Sequence, residues 1–179
     1  SIDSPSIQEL IRKERSSMKP EQRYIRGIFA GGTFCYQAQQ ILRDAGMVAH
    51  SNAPLAGNLE LPDSLRSLEH TLVDMGADEF MVGRPHPMID SRLRRERILA
   101  EALDPQVAVL LLDFILGFNA SPDPAGDLAP AIAAAKQGVK KRGGFLSVVA
   151  SVCGTEGDPQ GLQQQTGLLE EAGVVVFPS

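Results

Sequence analysis

The sequence predicts an α/β fold, a five-stranded parallel sheet with helices on both faces, and three observations predict it. From Arg23 onward, short apolar runs alternate with helix-like segments, so successive strands lie too far apart for hairpins and must pair in parallel. The run from Val107 to Leu112 is apolar at every position, as a strand covered on both faces requires. The composition is that of an ordinary globular domain, with 43% hydrophobic and 22% charged residues. Five strands joined in this way most often take the order 2-1-3-4-5, the flavodoxin-like arrangement.

The elements follow in order. Residues 1–21 read as a helical extension, capped by Ser4, opened by Pro5 and ended by Pro20. The domain proper is 22–179. Its first strand runs from Tyr24 to Ala30. The helix from Thr33 to Asp44 places Phe34, Ala38, Ile41 and Leu42 at helical spacing and stops at Gly46. Ser51 to Leu65, containing "SNAPLAGNLELPDS", reads as a long surface loop. Leu65 to Met75 reads as a helical turn or an edge strand, and Glu79 to Val82 as the second strand of the sheet. Ser91 to Leu103 is a helix with an apolar stripe of Leu93, Ile98, Leu99 and Ala102, stopped at Asp104-Pro105. After the strand at Val107 come a helix from Leu128 to Lys140 and a strand from Phe145 to Val152. A helix from Gly157 to Ala172 and a last strand from Val174 to Phe177 close the chain.

Charge and composition bound the function. A net charge of -5 offers no footprint for nucleic acid. The basic cluster from Arg92 to Arg97 is short and interrupted by a leucine and a glutamate, and reads as a solvated or subunit-facing helix surface. No apolar run approaches the ~20 residues of a membrane span, and the first residues carry no signal-peptide core. Cys35 and Cys153 are too few for a disulfide framework and suit a reducing compartment, so a cytoplasmic location is expected. No Cys/His spacing suggests a metal site.

In an open parallel sheet, ligands bind beyond the carboxyl ends of the strands. Gly31, Gly32 and Thr33 stand there at the seam between a strand and a helix. Glycine lets the backbone approach a ligand closely, Thr33 can cap the helix, and the first free N–H groups suit a phosphate, sulfate or carboxylate. A tight turn alone would use the same residues. The pattern is neither a Walker A loop nor G-x-G-x-x-G. A second candidate is "VGRPHPMIDS": Gly83 and Arg84 precede His86, which two prolines flank, and Asp90 or Ser91 can cap the next helix. His86 is the candidate catalytic residue. Gly117 and Asn119, beyond the middle strand, complete the expected binding set. Asp113 ends that strand but lacks the acidic pair and lysine of a receiver domain, so it is expected to orient the loop that follows. Cys35, one turn into its helix, is expected to be a small buried filler rather than a thiolate.

The stretches "RYIRGIFAGGTFCYQAQ" and "GADEFMVGRPHPMIDSRLRRERILAEALDPQVAVLLLDFILGFNASPDPAGDLAPAI" resemble the FdrA family of acyl-CoA-synthetase-like proteins, and more broadly the CoA-ligase domains of succinyl-CoA synthetase. The resemblance runs from about Gln22 to the C-terminus. It implies a ligase-like domain in which helices beginning at Thr33 and near Asp90 hold a phosphorylated or carboxylate intermediate. It implies a CoA-binding Rossmann-like partner domain or subunit, with CoA and nucleotide reaching the site through partner domains, and a small anionic metabolite as ligand. The Gly-His-Ala-Gly context of the synthetase phosphohistidine is missing, and Pro-His-Pro surrounds His86 instead. The chain is expected to be the C-terminal ligase-like part of a longer protein or a split subunit, inactive alone. Two alternatives accompany this reading. One is a carbamoyltransferase component acting on oxamate or carbamoyl phosphate in purine-ureide breakdown, as the family suggests. The other is a non-catalytic docking module, and a homo-oligomer is open in either case.

Overall fold

The computed structural model describes residues 4–178. Among them are seven strands in one parallel sheet, in the order β3-β2-β4-β1-β5-β6-β7. The strands are β1 (Tyr24–Phe29), β2 (His50–Ser51), β3 (Leu59–Glu60), β4 (Thr71–Asp74), β5 (Val107–Ile115), β6 (Ser147–Cys153) and β7 (Val175–Pro178). The helices are α1 (Pro5–Ser16), α2 (Gly32–Asp44), α3 (Asp78–Met81), α4 (Arg92–Glu101), α5 (Pro124–Lys141) and α6 (Leu162–Glu171).

The sheet therefore has seven strands rather than five. The five longer strands keep the expected 2-1-3-4-5 succession, as β4-β1-β5-β6-β7. The two added strands lie at the edge, in and beside the segment expected to be loop. Buried Gln39 holds that segment in place: its Nε2 donates to Ser51 Oγ and the Ala53 carbonyl, and its Oε1 accepts from the Leu55 N–H. A further correction concerns the second long strand. Glu79–Val82 is not a strand; α3 covers most of it, and the strand is Thr71–Asp74, buried at all four positions. Expected boundaries of the remaining long elements shift by a few residues, and the beginning of the chain's first helix, expected from Ser1, lies outside the described residues.

Side chains alternate between two cores. Ile28, Val73, Leu110, Leu112 and Val148 face α4, α5 and α6 in the larger cluster. Phe29 and Leu72 face Cys35 and Leu42 of α2 in the smaller one. Helix α1, capped by Ser4 Oγ, buries no residue. Its Ile7, Leu10 and Ile11 line an apolar groove of about 1090 Å³ against Val109, Val149 and Val175 of the sheet. No helix among the described residues is long and apolar enough to cross a membrane.

Helix α4 also departs from its reading as a solvated basic surface. Arg94 and Arg97 are buried, 3% and 7% exposed, whereas Leu99 of the expected apolar stripe is exposed. Arg97 Nε donates to Glu101 Oε1 at 2.8 Å, and Glu101 also pairs with Arg26 of β1. Arg26 reaches Asp104 as well, at 2.8 Å. Arginine forks satisfy carboxylates and carbonyls at once, so guanidinium groups can be buried where a lysine would leave partners unmet.

Candidate functional site

The carboxyl end of β1 runs directly into α2. Gly31 is the N-cap, with φ -159 and no side-chain cap bond, and helix residues begin at Gly32. Thr33 lies one residue inside the helix and is exposed, so the expected threonine cap is absent. A β-carbon built on Gly31 would meet nothing within 4 Å. The first turn of α2 thus presents its N–H groups without a side chain in front of them.

Beside this turn stands Asp74, the last residue of β4. A β-carbon on Gly32 would lie 3.2 Å from Asp74 Oδ2. Asp74 Oδ1 accepts the Gly76 N–H at 2.9 Å. Its backbone is clasped by Asn52, whose Oδ1 accepts the Asp74 N–H and whose Nδ2 donates to the Asp74 carbonyl and to Glu79 Oε1. Gly76 is required by close approach. A β-carbon there would fall 2.6 Å from the Ala30 carbonyl oxygen and 2.9 Å from His86 Nε2. His86 Nε2 thus stands at Gly76, near the Ala30 carbonyl and Asp74 Oδ1. Its Nδ1 accepts the Met88 N–H at 3.1 Å, which in the neutral ring leaves the proton on Nε2.

Burial raises the Asp74 carboxyl above the usual range, opposed by the Gly76 N–H and His86 and reinforced by Glu79. A carboxyl raised on folding stabilises the fold only where it is protonated. That contribution is present below the ordinary carboxylate range and is lost as pH rises through the raised value. Asp74→Asn should therefore be more stable than the parent at pH 7, with the gap closing toward pH 3. Thermal midpoints measured across that range check it, and a parent that is the more stable at neutral pH would refute it. A carboxylate kept at a cost in stability is what a working site requires.

The other expected residues divide into two groups. Arg84 and Asp90 line a neighbouring pocket of about 210 Å³ together with Met75 and Phe80. The Asp90 carboxylate is already engaged: its Oδ1 accepts the Arg92 N–H at the start of α4, and the Arg92 guanidinium grips the same carboxylate, holding it down to about 2. The start of α4 is thereby filled from within, whereas that of α2 is not. Gly83, with φ +68, turns the chain out of α3. Gly117 belongs to another contact, its N–H donating to Gln160 Oε1 and its carbonyl accepting from Gln160 Nε2. Asn119 is exposed beside it.

Asp113 does not orient a loop. It is an internal residue of β5, 1% exposed, accepting the Ala30 N–H at 2.7 Å and paired with Arg94 at 3.0 Å. Arg94 also donates to the carbonyls of Ile28 and Asp113. This buried pair fixes the residue just ahead of the glycines. Cys35 is fully buried, and burial pushes its thiol up to about 12. A thiol reagent such as Ellman's should consequently titrate one cysteine, the exposed Cys153, in the folded chain and two after denaturation. Two fast thiols in the native protein would contradict this.

Sequence reasoning missed Asp74, Gly76 and Asn52. The signal for the first two was present in "TLVDMG", a short apolar strand ended by Asp-x-Gly, but the strand was expected eight residues later, which moved the rim to Gly83.

The pattern of the CoA-ligase family matches residues 28–179. The uncharacterized protein YahF of Escherichia coli (strain K12) is 40% identical over 172 residues, which is 96% of this chain and 33% of that protein. The chain thus spans about a third of the length of that relative. With the family pattern running from the end of β1 through every later strand, Asp74 included, the chain belongs to the CoA-ligase family.

Proposed function

We propose that this chain is the ligase-like domain of an FdrA-type acyl-CoA synthetase, and that it seats a phosphorylated or carboxylate intermediate against the first turn of α2. The observation that supports the reading is the start of that helix, which has no side-chain cap and is open in front of Gly31. Backbone N–H groups already aimed at the place where charge gathers stabilise it without reorganising. In this proposal His86, whose Nε2 stands at Gly76 beside Asp74, donates a proton or hydrogen bond to the same ligand. Arg84 and Asp90 border the approach rather than the seat.

In this reading CoA and nucleotide arrive through partners, a CoA-binding Rossmann-like domain or subunit among them. Membership of the CoA-ligase family supports that role. Incubating the complete assembly with an acyl-CoA, ADP and phosphate tests the proposal by formation of ATP. Carbamoyl phosphate formation or turnover with oxamate in its place would select the carbamoyl-transfer alternative. Turnover of neither set would remove both.

A second reading, a docking module, draws on the apolar groove under α1, a helix that buries none of its residues in this chain. Light scattering tests it, and a clean monomer at high concentration counts against self-association through that face.

A further inference from the structure

The open start of α2 has an unusual neighbour for an anion site. Asp74 is only 9% exposed, and its Oδ2 carries no hydrogen bond among the described residues although Oδ1 is engaged by Gly76. That free oxygen lies at Gly32, within the first turn of the helix. The start of α2 therefore offers donors and an acceptor together: the N–H groups of its first turn, with Asp74 Oδ2 beside Gly32, and His86 Nε2 close by at Gly76. A ligand made only of acceptor oxygens satisfies the donors and leaves Asp74 facing like charge, unpaired. A ligand that also carries an O–H or N–H satisfies both.

Resting on the anion-seat reading above, we infer that Asp74 selects oxyanions that themselves donate a hydrogen bond and rejects those that cannot. The selection works in both directions. A donated hydrogen bond to a buried carboxylate is worth a charge-assisted bond, and its absence leaves a desolvated acceptor beside a repelling anion. Other charged or titratable groups near Asp74 do not replace it in this role. Glu79 of α3 is held by Asn52, Asp113 of β5 is spent on Arg94 and the Ala30 N–H, and Cys35 of α2 is buried and protonated.

Inorganic phosphate and sulfate form the test, being nearly equal in size and shape. Phosphate keeps an O–H at neutral pH and sulfate has none. Calorimetric titration of the full chain at neutral pH should show phosphate binding about tenfold or more tighter than sulfate. In Asp74→Asn, whose amide can donate, the preference should collapse or invert. Circular dichroism of the variant checks that the fold is kept, and a merely structural role for Asp74 would weaken both anions alike. Equal affinities in the parent, or an unchanged ratio in Asp74→Asn, would overturn the inference while leaving the seat in place. Binding of neither anion would overturn the inference and the seat together.

Discussion

Replacing Asp113 with alanine should lower the stability of the chain by about 3–5 kcal/mol, the usual cost of leaving a buried charge without its partner. Arg94 would remain with its guanidinium 3% exposed, still touching two carbonyl oxygens but facing no carboxylate. The Ala30 N–H would lose its acceptor as well. In a chain of this length a loss of that size moves the thermal midpoint by roughly 10 °C. The double variant Arg94→Met, Asp113→Leu should recover much of the loss, because removing both ends of a buried pair also removes their desolvation cost. Denaturant titrations of the two variants decide the matter. A single variant within about 1 kcal/mol of the parent would show that the pair does not hold β1, β5 and α4 together.

The second large effect belongs to function. Gly32→Val should cut turnover of the complete assembly by about 100-fold or more, the scale of losing access to one preorganised donor, because the added side chain stands in front of the N–H groups that the substitution itself leaves in place. A β-carbon at this position already crowds Asp74 Oδ2 and the Tyr36 ring at 3.2 Å each, and valine adds two methyl groups to it. Tyr36 is 43% exposed and can swing into solvent, so the fold absorbs the change while the hollow does not. Gly31→Ala is the matched control: its side chain would enter open space at an ordinary backbone angle, and its effect on folding should be slight. Unimpaired turnover in Gly32→Val would defeat the proposed seat. Loss of the folded circular dichroism spectrum would show that the glycine serves packing instead.

The parallel sheet was legible because its central strands are apolar throughout and its helices are separated by clear stops. Val107 onward and Ser147 onward could hardly be anything else. The edge was not legible. His50–Ser51 and Leu59–Glu60 are two-residue strands flanking a loop that Gln39 of α2 ties down, and no periodicity forms over so short a span. Thr71–Asp74 is longer but follows a mixed polar segment that gives no clear start, and the later Glu79–Val82 mimics it in composition. The glycines at 31 and 32 were found in sequence because a strand-to-helix seam has a recognisable form. Asp74 was not, because its meaning comes from standing next to a strand 45 residues away, at Phe29 in the paired register. The arginines of α4 show the same limit. A run of charge reads as surface until its partners are known: Glu101, one turn further along the same helix, and Asp113, on β5.

Helix α4 is fastened at both extremities. Arg94 bolts its beginning to the outlets of β1 and β5, and Arg97 and Glu101 bolt its end to Arg26 near the opposite margin of the sheet. A rod pinned twice cannot slide or pivot without breaking a sequestered ion pair, so it acts as a fixed datum for everything mounted on it. Any adjustment that accompanies a visitor's arrival then falls more readily to the stretch between Gly76 and Asp90, which carries His86, than to the rod.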